Sequence, residues 1–234
     1  IEMDVDNRVL RASIIECARE MNRRGINVNK SGNVSTLALD DKGKKGFLIT
    51  PTGIPYEVLE PEDIVWVSLE HGASNEMMKG HRTPSSEWEM HARVYLMRSD
   101  VSAVVHTHSC YATALACQDM GIPPFHYMVA MAGGKSIDVA PYATFGTTEL
   151  AKIAAQALAQ KNACLLSHHG VLTCARSLQG ALTLAAEVEN LARQYTIVLS
   201  LGKPKLIPGE EMEKILVKFG TYGKQSQQCD QEEE

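Results

Sequence analysis

The sequence contains no CxxC pair and no regular cysteine framework; Cys17, Cys110, Cys117, Cys164, Cys174 and Cys229 are scattered along it. A disulfide-stapled secreted domain needs paired cysteines, so free thiols in a reducing cytoplasm are the expectation, with Cys164 buried in the apolar run Ala163-Cys164-Leu165-Leu166. No stretch approaches the roughly 18 consecutive apolar residues of a membrane span. The first residues, Ile1-Glu2-Met3-Asp4, lack the basic and apolar regions of a signal peptide, which again points to the cytoplasm. There is no run of Lys or Arg, and a net charge of -5 speaks against a nucleic-acid surface. Neither a Walker loop nor a dinucleotide fingerprint occurs, so nucleotide binding is not expected. An acidic chain can still hold a phosphate, because backbone N–H groups and a metal supply local positive potential.

Internal repeats and interior linkers are absent too. With 234 residues, 44% hydrophobic and 22% charged, the chain has the composition of one well-cored domain, expected over 1–223. The polar, acidic end, 224–234, is expected to be a disordered tail. Apolar residues at helical spacing predict a first helix from about Asn7 to Arg24, capped by Asp6 or Asn7 and ended by Gly25. Alternation over Val34–Leu39, a turn at Asp40–Gly43 and the run Gly46–Thr50 predict a hairpin, and Ile64–Ser68 a third strand before a polar turn at His71-Gly72. Helices are expected from Ser85 to Arg98, Tyr111 to Gln118, Glu149 to Gln160, Leu178 to Leu201 and Glu210 to Phe219. Short buried strands are expected at Val101–His106, Ala163–Ser167 and Gly170–Cys174, with a Pro/Gly-rich stretch at Gly121–Gly146. Early hairpins in place of repeated βαβ units imply a central, largely antiparallel sheet flanked by helices.

Chemistry-bearing residues gather at the ends of these strands. His106-Thr107-His108 places two imidazoles on one face of an extended chain, about 7 Å apart along it, where they could share a divalent metal. A bare His-x-His is common without a metal, but His168-His169-Gly170 also follows an apolar strand. One of that pair can complete a three-histidine zinc site with an open position, while the other holds its neighbour by a hydrogen bond. Thr83-Pro84-Ser85-Ser86-Glu87 reads as a helix start in which a serine caps; its free N–H groups and hydroxyls also form an anion site. Glu87 beside a metal could take a proton from carbon. Lys30-Ser31-Gly32-Asn33-Val34-Ser35 and Thr50-Pro51-Thr52-Gly53-Ile54-Pro55 are tight turns that could likewise cradle an anion.

Six motifs in order, Gly32-Asn33-Val34-Ser35, Thr50–Tyr56, Pro84–Glu87, His106-Thr107-His108, Ala140-Pro141-Tyr142 and His168-His169-Gly170, resemble the class II aldolase and adducin head domain family. The resemblance runs from the first helix to about Gly223. His126-Tyr127-Met128, Tyr142–Thr147 and Lys218–Gly223 sharpen it toward the branch acting on L-fuculose 1-phosphate. It implies an α/β (α+β) fold, a three-layer αβα sandwich on a predominantly antiparallel sheet. It implies Zn²⁺, one per subunit, on His106, His108 and His169, with Glu87 as fourth ligand and then as catalytic acid/base, leaving His168 beside His169. Gly32, Asn33, Thr52, Gly53, Ser85 and Ser86 would hold the substrate phosphate. Tyr127 would serve the aldehyde-side oxygen, and Phe145, Phe219 and Tyr222 would shape the aldehyde pocket. The implied reaction is reversible cleavage of the ketose phosphate to dihydroxyacetone phosphate and L-lactaldehyde through an enediolate, a step of L-fucose degradation. Tyr127 and the C-terminal tyrosine would reach active sites across subunit boundaries of a homotetramer.

Aldolases for 5-deoxyribulose or 5-methylthioribulose 1-phosphate share these motifs and differ chiefly in the aldehyde tail. L-ribulose-5-phosphate 4-epimerases carry Asp where this chain has Glu87, and a non-catalytic adducin-like head is expected to lack the histidine set. The segments Asp40–Gly46 and Leu69–Arg82 and the tail from Gln225 look longer than in the fuculose-phosphate branch.

Overall fold

The computed structural model describes residues 7–70 and 78–220. Helix α1 (Arg8–Arg23) opens the chain and buries Ile14, Ala18 and Met21, the stripe its spacing predicts. Asn7 does not cap it: that residue is left-handed, and its amide donates to Leu39 O at 2.8 Å. Strands β1 (Asn33–Leu39) and β2 (Lys45–Ile49) form the expected hairpin, with Ser35 opposite Ile49 and Leu39 opposite Lys45. β3 (Val65–Ser68) adds to β2, and a short β4 (Met78–Lys79), not evident in the sequence, edges the sheet.

Helix α2 (Trp88–Met97), β5 (Ala103–Thr107) and α3 (Cys110–Ala116) follow. The Pro/Gly-rich stretch holds a 3₁₀ segment, Tyr127–Ala132, and β6 (Val139–Ala140). The chain continues through α4 (Thr148–Ala157), β7 (Ala163–Leu166), β8 (Gly170–Ala175), α5 (Leu178–Leu201) and α6 (Gly209–Phe219). The eight strands make one sheet in the order β4-β3-β2-β1-β5-β8-β7-β6, antiparallel at every pairing except β6 with β7.

Strand alternation sends neighbours to opposite faces. Phe47, Ile49, Val67, Val104 and Leu172 pack under α2 and α4. Val34, Leu48, Trp66 and Val105 pack under α1 and the start of α5, while Leu165 and Val171 meet α3, the rest of α5 and α6. The architecture is therefore the three-layer αβα sandwich expected. β1 and β5 lie side by side at its centre, with Asn33 paired to His106, so both side chains project to the α2 face at the same end.

Cys17, Cys164 and Cys174 are buried, whereas Cys110 and Cys117, at the start and just past the end of α3, are exposed. Among the described residues no helix is long and apolar enough to cross a membrane. The His71-Gly72 turn, Tyr222 and the acidic tail lie outside the described residues.

Candidate metal centre

Two strand ends build the histidine cluster. β5 carries His106 into the α2 face, and His108 follows two residues later. β7 and β8 are joined by the three-residue loop Ser167-His168-His169, closed by Leu166 opposite Gly170. His168 occupies the left-handed position of that loop, with φ 52°. Its side chain is thereby turned outward and exposed, edge-on to the Tyr142 ring at 6.0 Å, so it does not support His169 as the sequence reading had it. His169, one residue later, turns in. Gly170 is required there, because a Cβ would lie 2.3 Å from Thr107 O and 3.1 Å from the His108 ring.

The Nδ1 or Nε2 donors of His106, His108 and His169 all lie within 4.8 Å of one another, and the rings pack edge to face at 4.8 to 5.0 Å. His106 Nδ1 is 2.8 Å from Val171 O; a carbonyl can only accept, so Nδ1 carries the hydrogen and Nε2 offers its lone pair to the site. Glu87, 6% exposed, closes the cluster from the start of α2. Its Oε2 is 3.2 Å from His106 Nε2 and its Oε1 3.2 Å from His169 Nε2. Oε1 is buried and has no hydrogen-bond partner. Ring nitrogens that converge on a buried carboxylate oxygen with no hydrogen-bond partner are what a shared cation satisfies. Donors bound at about 2.0–2.1 Å to a tetrahedral zinc sit roughly 3.3 Å apart, close to the 3.0 Å between His106 Nε2 and His108 Nε2 and the 3.2 Å contacts of Glu87. The four residues fit a metal ion.

Electrostatics agree. Burial opposes ionisation of Glu87, but the His106 and His169 rings and the Asn33 amide overcome it and hold the carboxyl well below the usual range. Burial and the neighbouring His106 push His108 down to about 3 and His169 to about 4, so both are neutral, lone-pair donors at ordinary pH. His106 moves the other way: burial opposes the charge, yet the Glu87 carboxylate raises its pKa.

The residues expected at the anion site gather beside this cluster. Thr52 N donates to Thr83 O and Ser85 N to Thr50 O, both at 3.0 Å, which fastens the Thr50–Gly53 turn to the Thr83–Ser86 segment. The serines do not cap α2 as expected; Ser85 Oγ instead accepts from Glu87 N at 3.3 Å within the turn. Gly32 packs so closely on β5 that a Cβ would lie 2.5 Å from His106 O. Lys30 Nζ reaches Gly53 O at 2.9 Å. Phe145 is 68% exposed, and next to it Gly146 (φ 70°) lies against Ser86.

Asn33, expected at the phosphate, faces inward. Its Nδ2 donates to Glu87 Oε2 at 3.0 Å and its Oδ1 meets His91 Nε2 at 2.5 Å. Tyr127 is 46% exposed and stacks on His126; the 3₁₀ segment it begins packs with α5 and α6, as does Phe219, across the sheet from Glu87. His91, Ser35 and Tyr95 are buried behind Asn33, and the helical spacing of His91 and Tyr95 with Ala92 is by itself that of a core stripe on α2. The spacing Glu87-x-x-x-His91-x-x-x-Tyr95, one polar group per helical turn on one face, was the available signal.

Residues 12–196 match the model of the Class II Aldolase and Adducin N-terminal domain. The chain belongs to that family. A 5-methylthioribulose-1-phosphate/5-deoxyribulose-1-phosphate aldolase of Rhodospirillum rubrum is 46% identical over 218 residues, covering 93% of this chain and 94% of the relative. The L-fuculose phosphate aldolase of Escherichia coli K12 is 44% identical over 220 residues, covering 94% and 98%. A solved L-fuculose 1-phosphate aldolase superposes with a TM-score of 0.82 at 36% identity, covering 94% of this chain and 98% of that one. The protein is thus a class II aldolase, and its histidine triad is the candidate metal site of that class.

Proposed function

We propose that this class II aldolase reversibly cleaves a ketose 1-phosphate with an apolar tail, yielding dihydroxyacetone phosphate and a short aldehyde. L-fuculose 1-phosphate, which would give L-lactaldehyde, is the first candidate substrate. The 46% identity to a 5-methylthioribulose/5-deoxyribulose-phosphate aldolase favours those sugars as the second. All three share the phosphorylated ketose end and finish in a methyl or methylthio group, which an aromatic such as the exposed Phe145 can meet. The observation that carries the reading is a buried carboxylate set between two of three converging imidazoles, directly after the Ser85-Ser86 turn.

His106, His108 and His169, joined by Glu87, would hold one Zn²⁺, which when bound supplies Lewis-acid stabilisation of the negative charge released by C3–C4 cleavage. Gly32, Asn33, Thr52, Gly53, Ser85 and Ser86 grip the phosphate and fix the reacting bond at a distance from it. Tyr127 relays the proton off the C4 hydroxyl oxygen, and Glu87 delivers a proton to the substrate carbon, so the one proton lost at oxygen is balanced by the one gained at carbon. The placement of Tyr127 and Phe219 across the sheet from Glu87 supports a homotetramer in which they serve a neighbouring subunit's site, together with Tyr222. A panel of ketose 1-phosphates assayed for dihydroxyacetone phosphate release tests the proposal. Release from L-fuculose 1-phosphate or its 5-deoxy or methylthio pentulose analogues is expected, and release from none of them would overturn it.

A further inference from the structure

Behind Glu87 and Asn33 runs a string of three buried polar side chains, His91, Ser35 and Tyr95, that the aldolase reading does not use. Tyr95 Oη lies 2.6 Å from Ser35 Oγ, which lies 2.7 Å from His91 Nδ1. His91 Nε2 lies 2.5 Å from Asn33 Oδ1, and Asn33 Nδ2 donates to Glu87 Oε2 at 3.0 Å. His91 and Ser35 have no exposed surface, and Asn33, Tyr95 and Glu87 very little. Polar groups this deep stay only if paired, and each atom at a junction is paired.

The direction of the string follows from one end. Turning the Asn33 amide over would set its oxygen 3.0 Å from the Glu87 carboxylate, two acceptors facing each other. So Nδ2 faces Glu87, Oδ1 faces His91, and His91 must carry its hydrogen on Nε2. Its Nδ1 is then bare and accepts from the Ser35 hydroxyl, whose lone pair accepts from Tyr95. Donation runs one way: Tyr95 to Ser35, to His91, to Asn33, to Glu87.

We propose that His91 is a positioning residue for this enzyme: fixed in the Nε2–H tautomer by Ser35, it locks the Asn33 amide, which holds the Glu87 carboxylate against the histidine cluster. Asn33 Nδ2 has one N–H left over, available to the substrate phosphate in the proposed function. His91 makes its hydrogen bonds to Ser35 and Asn33 and to none of the metal donors. Its contribution is to keep the carboxylate and the phosphate grip in one register, and this rests on the aldolase reading above.

The test uses the metal-loaded full-length chain. In His91→Leu the amide loses its anchor, and kcat on the best ketose 1-phosphate is expected to fall about 10- to 100-fold. Bound metal per subunit should stay unchanged, because the three histidines are untouched. His91→Gln, whose amide can accept from Ser35 and donate to Asn33, should recover most of the loss. Tyr95→Phe should cost under about threefold, since Ser35 can still donate to His91. Nitrogen-15 NMR of the histidine-labelled wild-type enzyme reads the tautomer with no variant and no turnover: a hydrogen on Nε2 and a bare Nδ1 at His91 are expected. A hydrogen on Nδ1, or equal kcat in wild type and a folded His91→Leu, would overturn the proposal. If the wild type cleaves no ketose 1-phosphate, the aldolase reading falls, while the tautomer still decides the direction of the string.

Discussion

Glu87→Gln is the sharpest perturbation of the site. The carboxylate is 6% exposed, contacts His106 and His169 at 3.2 Å each, and accepts from Asn33 at 3.0 Å. Glutamine has the same shape and can keep the Asn33 bond through its amide oxygen, so the fold has little to lose. A stability change of about 1 kcal/mol would move Tm by roughly 2–4 °C for a chain of this size, and no larger shift is expected. Three imidazole donors remain, so metal should remain bound, though less tightly. What disappears is a group able to move a proton. General acid/base groups are worth about 10²- to 10⁴-fold, which at roughly 1.4 kcal/mol per decade is about 3–5 kcal/mol of barrier. Turnover is followed as dihydroxyacetone phosphate release coupled to NADH oxidation, beside metal content by plasma mass spectrometry. A folded, metal-loaded Glu87→Gln with kcat within threefold of wild type would refute the proton-transfer role. Activity fully restored by excess zinc would leave Glu87 as a ligand only.

Four further outcomes follow from the same geometry. Gly170→Ala would force a methyl to 2.3 Å from Thr107 O and 3.1 Å from the His108 ring, so both melting temperature and metal affinity should drop by the equivalent of about 1–3 kcal/mol. Gly43→Ala, with nothing within 4 Å of the added methyl, should cost only the left-handed strain and leave the metal alone. In acid, the sign is set by His91, His108 and His169, lowered from 6.5 to about 3, 3 and 4. The unfolded chain takes up these protons first, so their contribution is present above pH 6.5 and lost as pH falls toward 3. Each contributes a slope of up to about 1.4 kcal/mol per pH unit, with the raised His106 opposing them. Urea unfolding at pH 7.5 and 5.5 should show lower stability in acid, and a flat profile would contradict the burial assigned to His91. Tyr127→Phe, at an exposed ring, should leave unfolding within about 0.5 kcal/mol of wild type while lowering kcat; unchanged kcat would remove Tyr127 from the proposed proton path.

Much of this protein is written locally. The apolar stripe of α1, the β1–β2 hairpin and the full span of α5 are legible because amphipathic period and turn residues act over a few positions. So is the inventory of donors: two histidine-bearing strand ends and Glu87 at a helix start. The short edge strands β4 and β6 are not, since two residues carry no period and form only where a neighbouring strand offers hydrogen bonds. The choice between His168 and His169 was also beyond the residues themselves. A three-residue hairpin loop puts His168 in the left-handed region and sends it to solvent, so His169 alone returns to the cluster. Asn33 and His91, 58 positions apart, became partners only when β1 paired with β5 beneath α2. Local pattern determined which elements form and which donors they carry. Only long-range strand pairing could aim those donors at one point, because direction depends on which face each strand turns toward the helix above it.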